Sequence, residues 1–484
     1  MSLFDRLKGR RPRARAAPSP ALAKSDPTSS KHGGKAPKID AQAAVEEPGA
    51  PKVVRAPRPE RPAFPSFVST AGDQVNSRLF DRFASARIRL RTAFTPGQPV
   101  TDRRMFAGRT KVLSTLIRSI EDQRLHTVLY GERGIGKTSL LHVLTQAARE
   151  ARYLVVYVSC GAASEFDETI RTVAEGIPLR YHADFGPTSK EAEGGGSFAD
   201  VLPAGLVSTR AATDLFAKVI GTRALVILDE FDRSESAEFR RTMAELMKSL
   251  SDRQVRLQLI IAGVAANLTE LVRHIPSIQR NVFALQVPKM SGSEIRHLVN
   301  NGEEASGVAF EDEAIRAIVA RAIGFPYLAS LIGHHAALVA IEAGRTEVVE
   351  ADVRAATNEA LAELKGRISL RSQAQIARSL DKGLLNSLGA VAGAAQSSGG
   401  QFNLEDIEVL YATGEEADRR RKALEDLAEE GGLIEVHEDE TGRHFRFTDE
   451  AVTSYLWLLA NQERRAEEPS AREDGPDRRV AATS

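Results

Sequence analysis

The chain has 484 residues, too many for one ordinary core, so two to four folded units are expected. Its 65 basic and 65 acidic residues cancel, which excludes a global field pulling the whole molecule towards nucleic acid or membrane. A single cysteine, Cys160, excludes an internal disulfide and fits a reducing compartment, and no apolar run reaches the roughly 18–20 residues of a membrane helix. The opening MSLFDRLKGRRPRAR is basic and lacks the apolar core of a secretory signal, so the expected location is cytoplasmic.

Residues 1 to about 65 hold 11 of the 21 prolines, with 14 basic and 6 acidic side chains by count. Such a stretch buries too little apolar surface to offset the entropy of ordering, so residues 1–75 are expected to be a disordered, basic, proline-rich region. Its charge suits an anionic partner or a solvated tail. Met1 to Lys8 could form one amphipathic turn that docks a partner.

From about 100 to 288, short β-rich runs alternate with helical ones. The runs are HTVLY (126–130), YLVVYVS (153–159), ALVILDE (224–230), LQLIIAG (257–263) and NVFALQV (281–287). Four are almost continuously apolar, as expected of strands buried on both faces. Alternating β and α implies a parallel sheet with helices on both faces. Residues 184–206, with GPTSKEAEGGGSF, are expected to be a mobile surface insertion.

From about 291 to 365 the pattern is wholly helical, and it opens on a capping box, Ser291 with Glu294 three residues on. Then come helices at 404–411 and 417–430, and strands LIEV (433–436) and RHFRF (443–447) joined as a hairpin. Phe447, Val452, Tyr455, Leu456 and Leu458 are expected in a core. His334 and His335 lack companions at metal-ligand spacing and are expected to be structural or superficial.

The chemistry concentrates at Gly131-Glu132-Arg133-Gly134-Ile135-Gly136-Lys137-Thr138, a complete GxxxxGK[ST] followed by Ser139. Glycines let successive backbone N–H groups turn inward around a phosphate. Lys137 supplies a mobile charge, Thr138 a hydroxyl for Mg²⁺, and the helix that follows its positive end. An apolar strand before the motif and an apolar helix after it give the context it requires. The strand ALVILDE ends in Asp229, expected to hold Mg²⁺ through water, and Glu230, expected to orient the attacking water as general base.

These residues resemble the AAA+ and related STAND-type ATPases, particularly the origin-recognition-like ones, from about Phe106 to Ala460. FAGR (106–109) is similar to the entry segment of that group, which implies Phe106 and Arg109 as nucleotide contacts. PSIQRNVFALQVPKMS (276–291) resembles an arginine-finger box, which implies that Arg280, with Arg273 as the spare, reaches the nucleotide of a neighbouring subunit in a homo-oligomer. Two departures stand out. LQLIIAGVAANL lacks a polar sensor at its end, Asn267 coming late. The lid carries Gly324-Phe325-Pro326 where an arginine sensor is common, similar to the STAND signature in which the proline packs on the nucleotide.

The resemblance implies a P-loop NTPase sheet of the additional-strand class in the order 5-1-4-3-2. It also implies an ATPase core over 76–290, a helical lid over 291–370, a winged helix-turn-helix unit over 371–462 and a disordered tail over 463–484. The expected function is ATP binding and Mg²⁺-dependent hydrolysis as a conformational switch, with output through lid and winged helix. Two other functions stay open at this level. One is a DNA-associated oligomeric ATPase of the initiator or transposition-helper type, with Arg419, Arg420 and Arg421 on double-stranded DNA, although the acidic HEDE tip (437–440) opposes a phosphate backbone. The other is a nucleotide-bound scaffold that does not hydrolyse and docks an unknown protein partner.

Overall fold

The computed structural model describes residues 82–186, 188–265 and 280–397 and, further on, 401–403, 422, 425, 427–428, 432–439 and 442–467. Expectations on residues 1–75, on Asn267 and Arg273, on the helix at 404–411, on Arg419–Arg421 and on 468–484 lie outside these residues.

The strands form where the apolar runs predict them. After α1 (Arg82–Ala93) and α2 (Thr110–Glu121) come β1 (His126–Gly131), α3 (Lys137–Glu150), β2 (Leu154–Ser159), α4 (Phe166–Glu175) and α5 (Thr209–Phe216). There follow β3 (Ala224–Asp229), α6 (Ala237–Asp252), β4 (Leu257–Val264) and β5 (Val282–Gln286). The strands lie in the order β2-β3-β4-β1-β5, all pairs parallel, which is the 5-1-4-3-2 arrangement the resemblance implies.

Side chains alternate across this sheet. Leu225 and Ile227 join one core, Val226 and Leu228 the other, and all four are fully buried. A strand with two buried faces has no polar alternate positions, which explains the unbroken apolar run. Burial of each such leucine or isoleucine favours folding by roughly 1.5–3 kcal/mol. Cys160, just past β2, is buried as expected, and burial pushes its thiol up to about 12.

The segment at 184–206 differs from expectation. A single-turn helix (Lys190–Glu193) and a 3-10 turn (Phe198–Val201) are pinned to the sheet layer: Phe198 is fully buried, its N–H donates to Ile177 O at 2.8 Å, and its ring meets His182 at 4.8 Å. The glycine-rich composition suggests an insertion free of the core, but one buried aromatic anchors it.

The segment expected to be a lid comprises α7 (Gly292–Ser306), α8 (Asp312–Ala322), α9 (Pro326–Glu342) and α10 (Glu350–Arg367). It is helical as expected except for a two-residue strand pair, Ala309–Phe310 with Glu347–Val348. The Ser291–Glu294 capping box is present. The Phe94 ring anchors the segment after α1 against this layer where two helices carry glycine: a Cβ on Gly302 would lie 2.1 Å from it, and one on Gly333 2.8 Å. Glycine inside a helix costs roughly 1 kcal/mol, and here it admits an aromatic ring that no other residue would.

Beyond the lid are α11 (Leu370–Asp381), α12 (Leu385–Ser397), β6 (Gln401–Phe402), β7 (Ile434–Asp439), β8 (Gly442–Phe447) and α13 (Glu450–Glu467). β7 and β8 form the expected antiparallel hairpin, and β6 adds a third strand to β8. Phe447, Val452, Tyr455, Leu456 and Leu458 are buried as expected. The helix α13 runs to Glu467, past the expected boundary at 462. The hairpin of the expected winged-helix unit is thus present, whereas most of its second helix, 417–430, lies outside the described residues.

Candidate functional site: a phosphate loop facing an Asp-Glu pair

β1 ends at Gly131 and α3 begins at Lys137, so the glycine motif is the turn between them. Gly131, Gly134 and Gly136 have φ of 149°, 70° and 89°, which a side chain would resist. Gly136 has a second reason: its missing Cβ would stand 2.8 Å from Arg109 Nη1 and 3.6 Å from Pro326 Cγ. Ile135 is buried beneath the loop, and Ser139 Oγ accepts a hydrogen bond from Val100 N at 3.0 Å.

Lys137 is buried, and its ammonium donates to Gly131 O and Glu132 O, each at 2.8 Å. Thr138 Oγ1 donates to Asp229 Oδ2 at 2.8 Å, and Tyr157 OH donates to the same oxygen at 2.6 Å. Asp229 Oδ1 accepts from Glu230 N at 2.9 Å. Burial, reinforced by the Asp229 carboxylate, pushes the Tyr157 phenol up, so it remains a donor. Glu230 itself has φ 56°, a left-handed conformation rare outside glycine. Its Oε2 accepts from Ser159 Oγ at 3.1 Å and pairs with Arg233 Nη1 at 3.0 Å.

A cleft of about 400 Å³ opens over these groups. Arg133, Gly134, Gly136, Lys137, Thr138 and Ser139 line it from the loop, Asp229 and Glu230 from β3, and Pro326 and Tyr327 from the lid. Pro326 occupies the first turn of α9, so the positive end of that helix meets the cleft. Thr138 and Asp229 offer the hard oxygen donors that suit Mg²⁺, which takes one or two protein oxygens and completes its shell with phosphate and water. Among the described residues no three His, Cys, Asp or Glu side chains form a metal cage.

Arg109 lies behind the loop rather than in the cleft. It is 4% exposed, its Nη2 donates to Pro288 O at 3.2 Å and its backbone N–H to Glu294 Oε1 at 2.7 Å. Burial pulls its guanidinium down to about 10, and Glu294 opposes that shift. Phe106 is buried in the core and does not line the cleft. Lys289, half-buried, stands 3.7 Å from Glu132 Oε1 and 4.8 Å from the centre of the Phe325 ring, between loop and lid.

Arg280 is exposed just before β5. Val282 pairs with His126, the first residue of β1, so Arg280 sits at the opposite edge of the sheet from the phosphate loop. Five strand steps separate the edges, roughly 17 Å, too far for Arg280 to join its own chain's cleft.

The sequence reading passed over several residues here. Tyr157 and Ser159 contact the acidic pair from β2, and Arg233 ion-pairs with Glu230. Thr95 to Val100 close one end of the cleft. Tyr157 and Ser159 carry no motif of their own, and it is the pairing of β2 with β3 that sets them beside the acidic pair. The TPGQPV loop carries no motif, and only the tertiary fold brings it to the cleft.

Residues 120–272 match the family model described as AAA domain. No curated protein matches the chain. Among solved structures, Cdc6p from Pyrobaculum aerophilum is 15% identical, covering 78% of this chain and 98% of that one with a TM-score of 0.41. The Walker-type ATPase PABY2304 of Pyrococcus abyssi is 17% identical, covering 74% and 98% with a TM-score of 0.44. The ORC2 protein of Aeropyrum pernix, solved as ADPNP–ADP complexes, is 18% identical, covering 78% and 98% with a TM-score of 0.40. The matched segment holds the glycine loop, the strand ending in Asp229 and four of the five strands of the parallel sheet, so the match to an AAA domain falls on the part of the chain that carries the P-loop NTPase fold.

Proposed function

We propose that the chain binds ATP with Mg²⁺ in this cleft and hydrolyses it as a conformational switch, with the lid and the C-terminal unit as the moving parts. The observation that carries this reading is the 2.8 Å hydrogen bond from Thr138 to Asp229, which joins the phosphate loop to the acidic strand. Loop amides and the Lys137 ammonium suit phosphate oxygens. Thr138 and Asp229 are the residues to hold Mg²⁺, which when bound neutralises charge on the phosphates. Glu230 is the residue to orient and deprotonate a water, its backbone fixed by Asp229 and its carboxylate held by Ser159.

The switch reading follows from what lines the cleft. A nucleotide there touches the sheet through the loop and the lid through Pro326, Tyr327 and Ser330, so it favours whichever lid position makes both contacts. On the other side of the loop, Glu132, Arg133 and Gly134 share a cavity of about 420 Å³ with Phe447, Ala451 and Ser454 of the C-terminal unit. In this reading, movement of the loop reaches the C-terminal unit by closing or opening that cavity. Arg280, remote from its own cleft, is assigned to a neighbouring copy's nucleotide in an oligomer.

The test is phosphate release by the full chain with ATP and Mg²⁺, wild type against Glu230→Gln. The variant keeps ATP affinity and loses turnover by about 100-fold or more, the usual size of a general-base contribution. Equal turnover in the two proteins contradicts the assignment. Native mass measurement with and without ATP decides the role of Arg280, since a chain that stays monomeric with ATP leaves it no phosphate to reach.

A further inference from the structure

The Asp229 carboxylate accepts three hydrogen bonds: Oδ1 takes Glu230 N, while Oδ2 takes both Thr138 Oγ1 at 2.8 Å and Tyr157 OH at 2.6 Å. A carboxylate oxygen has two lone pairs in its plane, so Oδ2 is filled by two O–H donors. The Thr138 bond is compatible with a bound cation, because a hydroxyl can offer a lone pair to a metal while its O–H still donates to Asp229. The Tyr157 bond serves no such double purpose. It occupies a lone pair through which Asp229 could otherwise ligate a metal directly, and it leaves the carboxylate only the second lone pair of Oδ1, which suits a metal-bound water.

The ring of Tyr157 is fixed for this task. It stacks on His142 of α3, with centroids 5.1 Å apart and planes 5° from parallel, and its strand pairs in register with β3, Tyr157 opposite Ile227 and Ser159 opposite Asp229. Helix α3 also carries Thr138, so one helix sets both donors on Oδ2.

We propose that Tyr157 is a specificity-determining residue for the divalent cation: by saturating Asp229 Oδ2 it keeps that carboxylate a water-mediated partner and so favours Mg²⁺ over Ca²⁺. Mg²⁺ sheds water reluctantly and needs few protein oxygens, whereas Ca²⁺ takes six to eight and gains from each carboxylate it can reach. Freeing one lone pair on Asp229 therefore helps Ca²⁺ more than Mg²⁺. This inference rests on the Mg²⁺–ATP reading of the cleft.

The experiment measures the affinity of the full chain for a fluorescent ATP analogue while Mg²⁺ or Ca²⁺ is titrated, in wild type and Tyr157→Phe. The phenylalanine keeps the ring on His142 and removes only the donor. The expected result is a fall of about threefold or more in the Ca²⁺ concentration that half-supports binding, with the Mg²⁺ value within about twofold of wild type. Tyr157→Met, which also lacks the donor, shifts the ratio the same way. An unchanged Ca²⁺ to Mg²⁺ ratio in a variant that still binds nucleotide overturns the proposal, as does an equal shift for both ions; a purely structural Tyr157 lowers the melting temperature without moving the ratio. Failure of the underlying reading looks different: wild-type nucleotide affinity is then indifferent to either cation, and Asp229→Asn changes nothing.

Discussion

Thr138 Oγ1 and Asp229 Oδ2 are hydrogen-bonded at 2.8 Å although 91 residues separate them. The bond exists because β3 reaches the same end of the sheet as β1, with β4 between them. Beside it, the Lys137 ammonium is held by the carbonyls of Gly131 and Glu132. A buried ammonium resting on neutral carbonyls gains when anionic oxygens become available. Lys137→Ala is therefore expected to weaken ATP binding at least about tenfold, or roughly 1.4 kcal/mol, measured by titration with a fluorescent analogue. Unchanged affinity in the variant removes the loop from the binding site.

Gly136 is constrained in two ways, by its φ of 89° and by Arg109 Nη1 at 2.8 Å from where a Cβ would stand. Gly136→Ala should destabilise the chain by about 1–2 kcal/mol and reduce nucleotide affinity, read by thermal melting and by titration. In an Arg109→Ala background the steric part disappears and the backbone part remains. The two substitutions are then less than additive, whereas full additivity means that Arg109 does not press on the loop.

Much of this architecture was legible before any coordinates. All five strands lie where the apolar runs put them, and in β1, β3 and β4 burial on both faces leaves a signal that needs no partner to interpret. The glycine loop and the Asp229–Glu230 pair were legible because phosphate chemistry restricts residue type at fixed spacing. Contacts set by register across strands were not. Tyr157 meets Asp229 only once β2 is placed beside β3, and nothing in the sequence of β2 alone specifies its neighbour. The Phe198 anchor was hidden for a different reason: one aromatic inside a glycine-rich, polar stretch is outvoted by composition, yet it decides where the stretch packs.

Phe94 and Gly302 test the seating of the segment after α1 on the lid. A Cβ at position 302 would fall 2.1 Å from Phe94 Cζ, inside the ring's own volume, so Gly302→Ala must displace either the ring or helix α7. The expected cost is about 1–3 kcal/mol, visible as a lower denaturant midpoint. Phe94→Leu in the same chain should recover part of it, since the smaller side chain vacates the contact. A neutral Gly302→Ala shows that the ring sits elsewhere in solution.

His126 sets a pH limit on the fold. It is buried at the start of β1, its Nδ1 accepts the Leu259 N–H at 2.9 Å, and the ring also hydrogen-bonds the Met247 backbone. Burial pulls its folded-state value from 6.5 down to about 4. The sign follows from which state takes up the proton. Above about pH 6.5 both folded and unfolded chains hold the ring neutral, and stability from this group is complete. Between about 6.5 and 4 only the unfolded chain binds the proton, so stability falls as pH falls, by about 3 kcal/mol in all at the lower end. Below the folded value the loss levels off. His182 and His334 are also shifted downward, chiefly by burial, and add loss of the same sign. The measurement is therefore a difference: denaturant midpoints at pH 7.5, 6 and 5 for wild type and for His126→Gln, whose amide oxygen can accept from Leu259 without titrating. The gap between the two pH profiles should narrow or reverse as pH falls, because only wild type loses the His126 contribution. Parallel profiles would mean that the unfolded chain holds His126 as neutral as the fold does, and that burial at the foot of β1 carries no proton linkage.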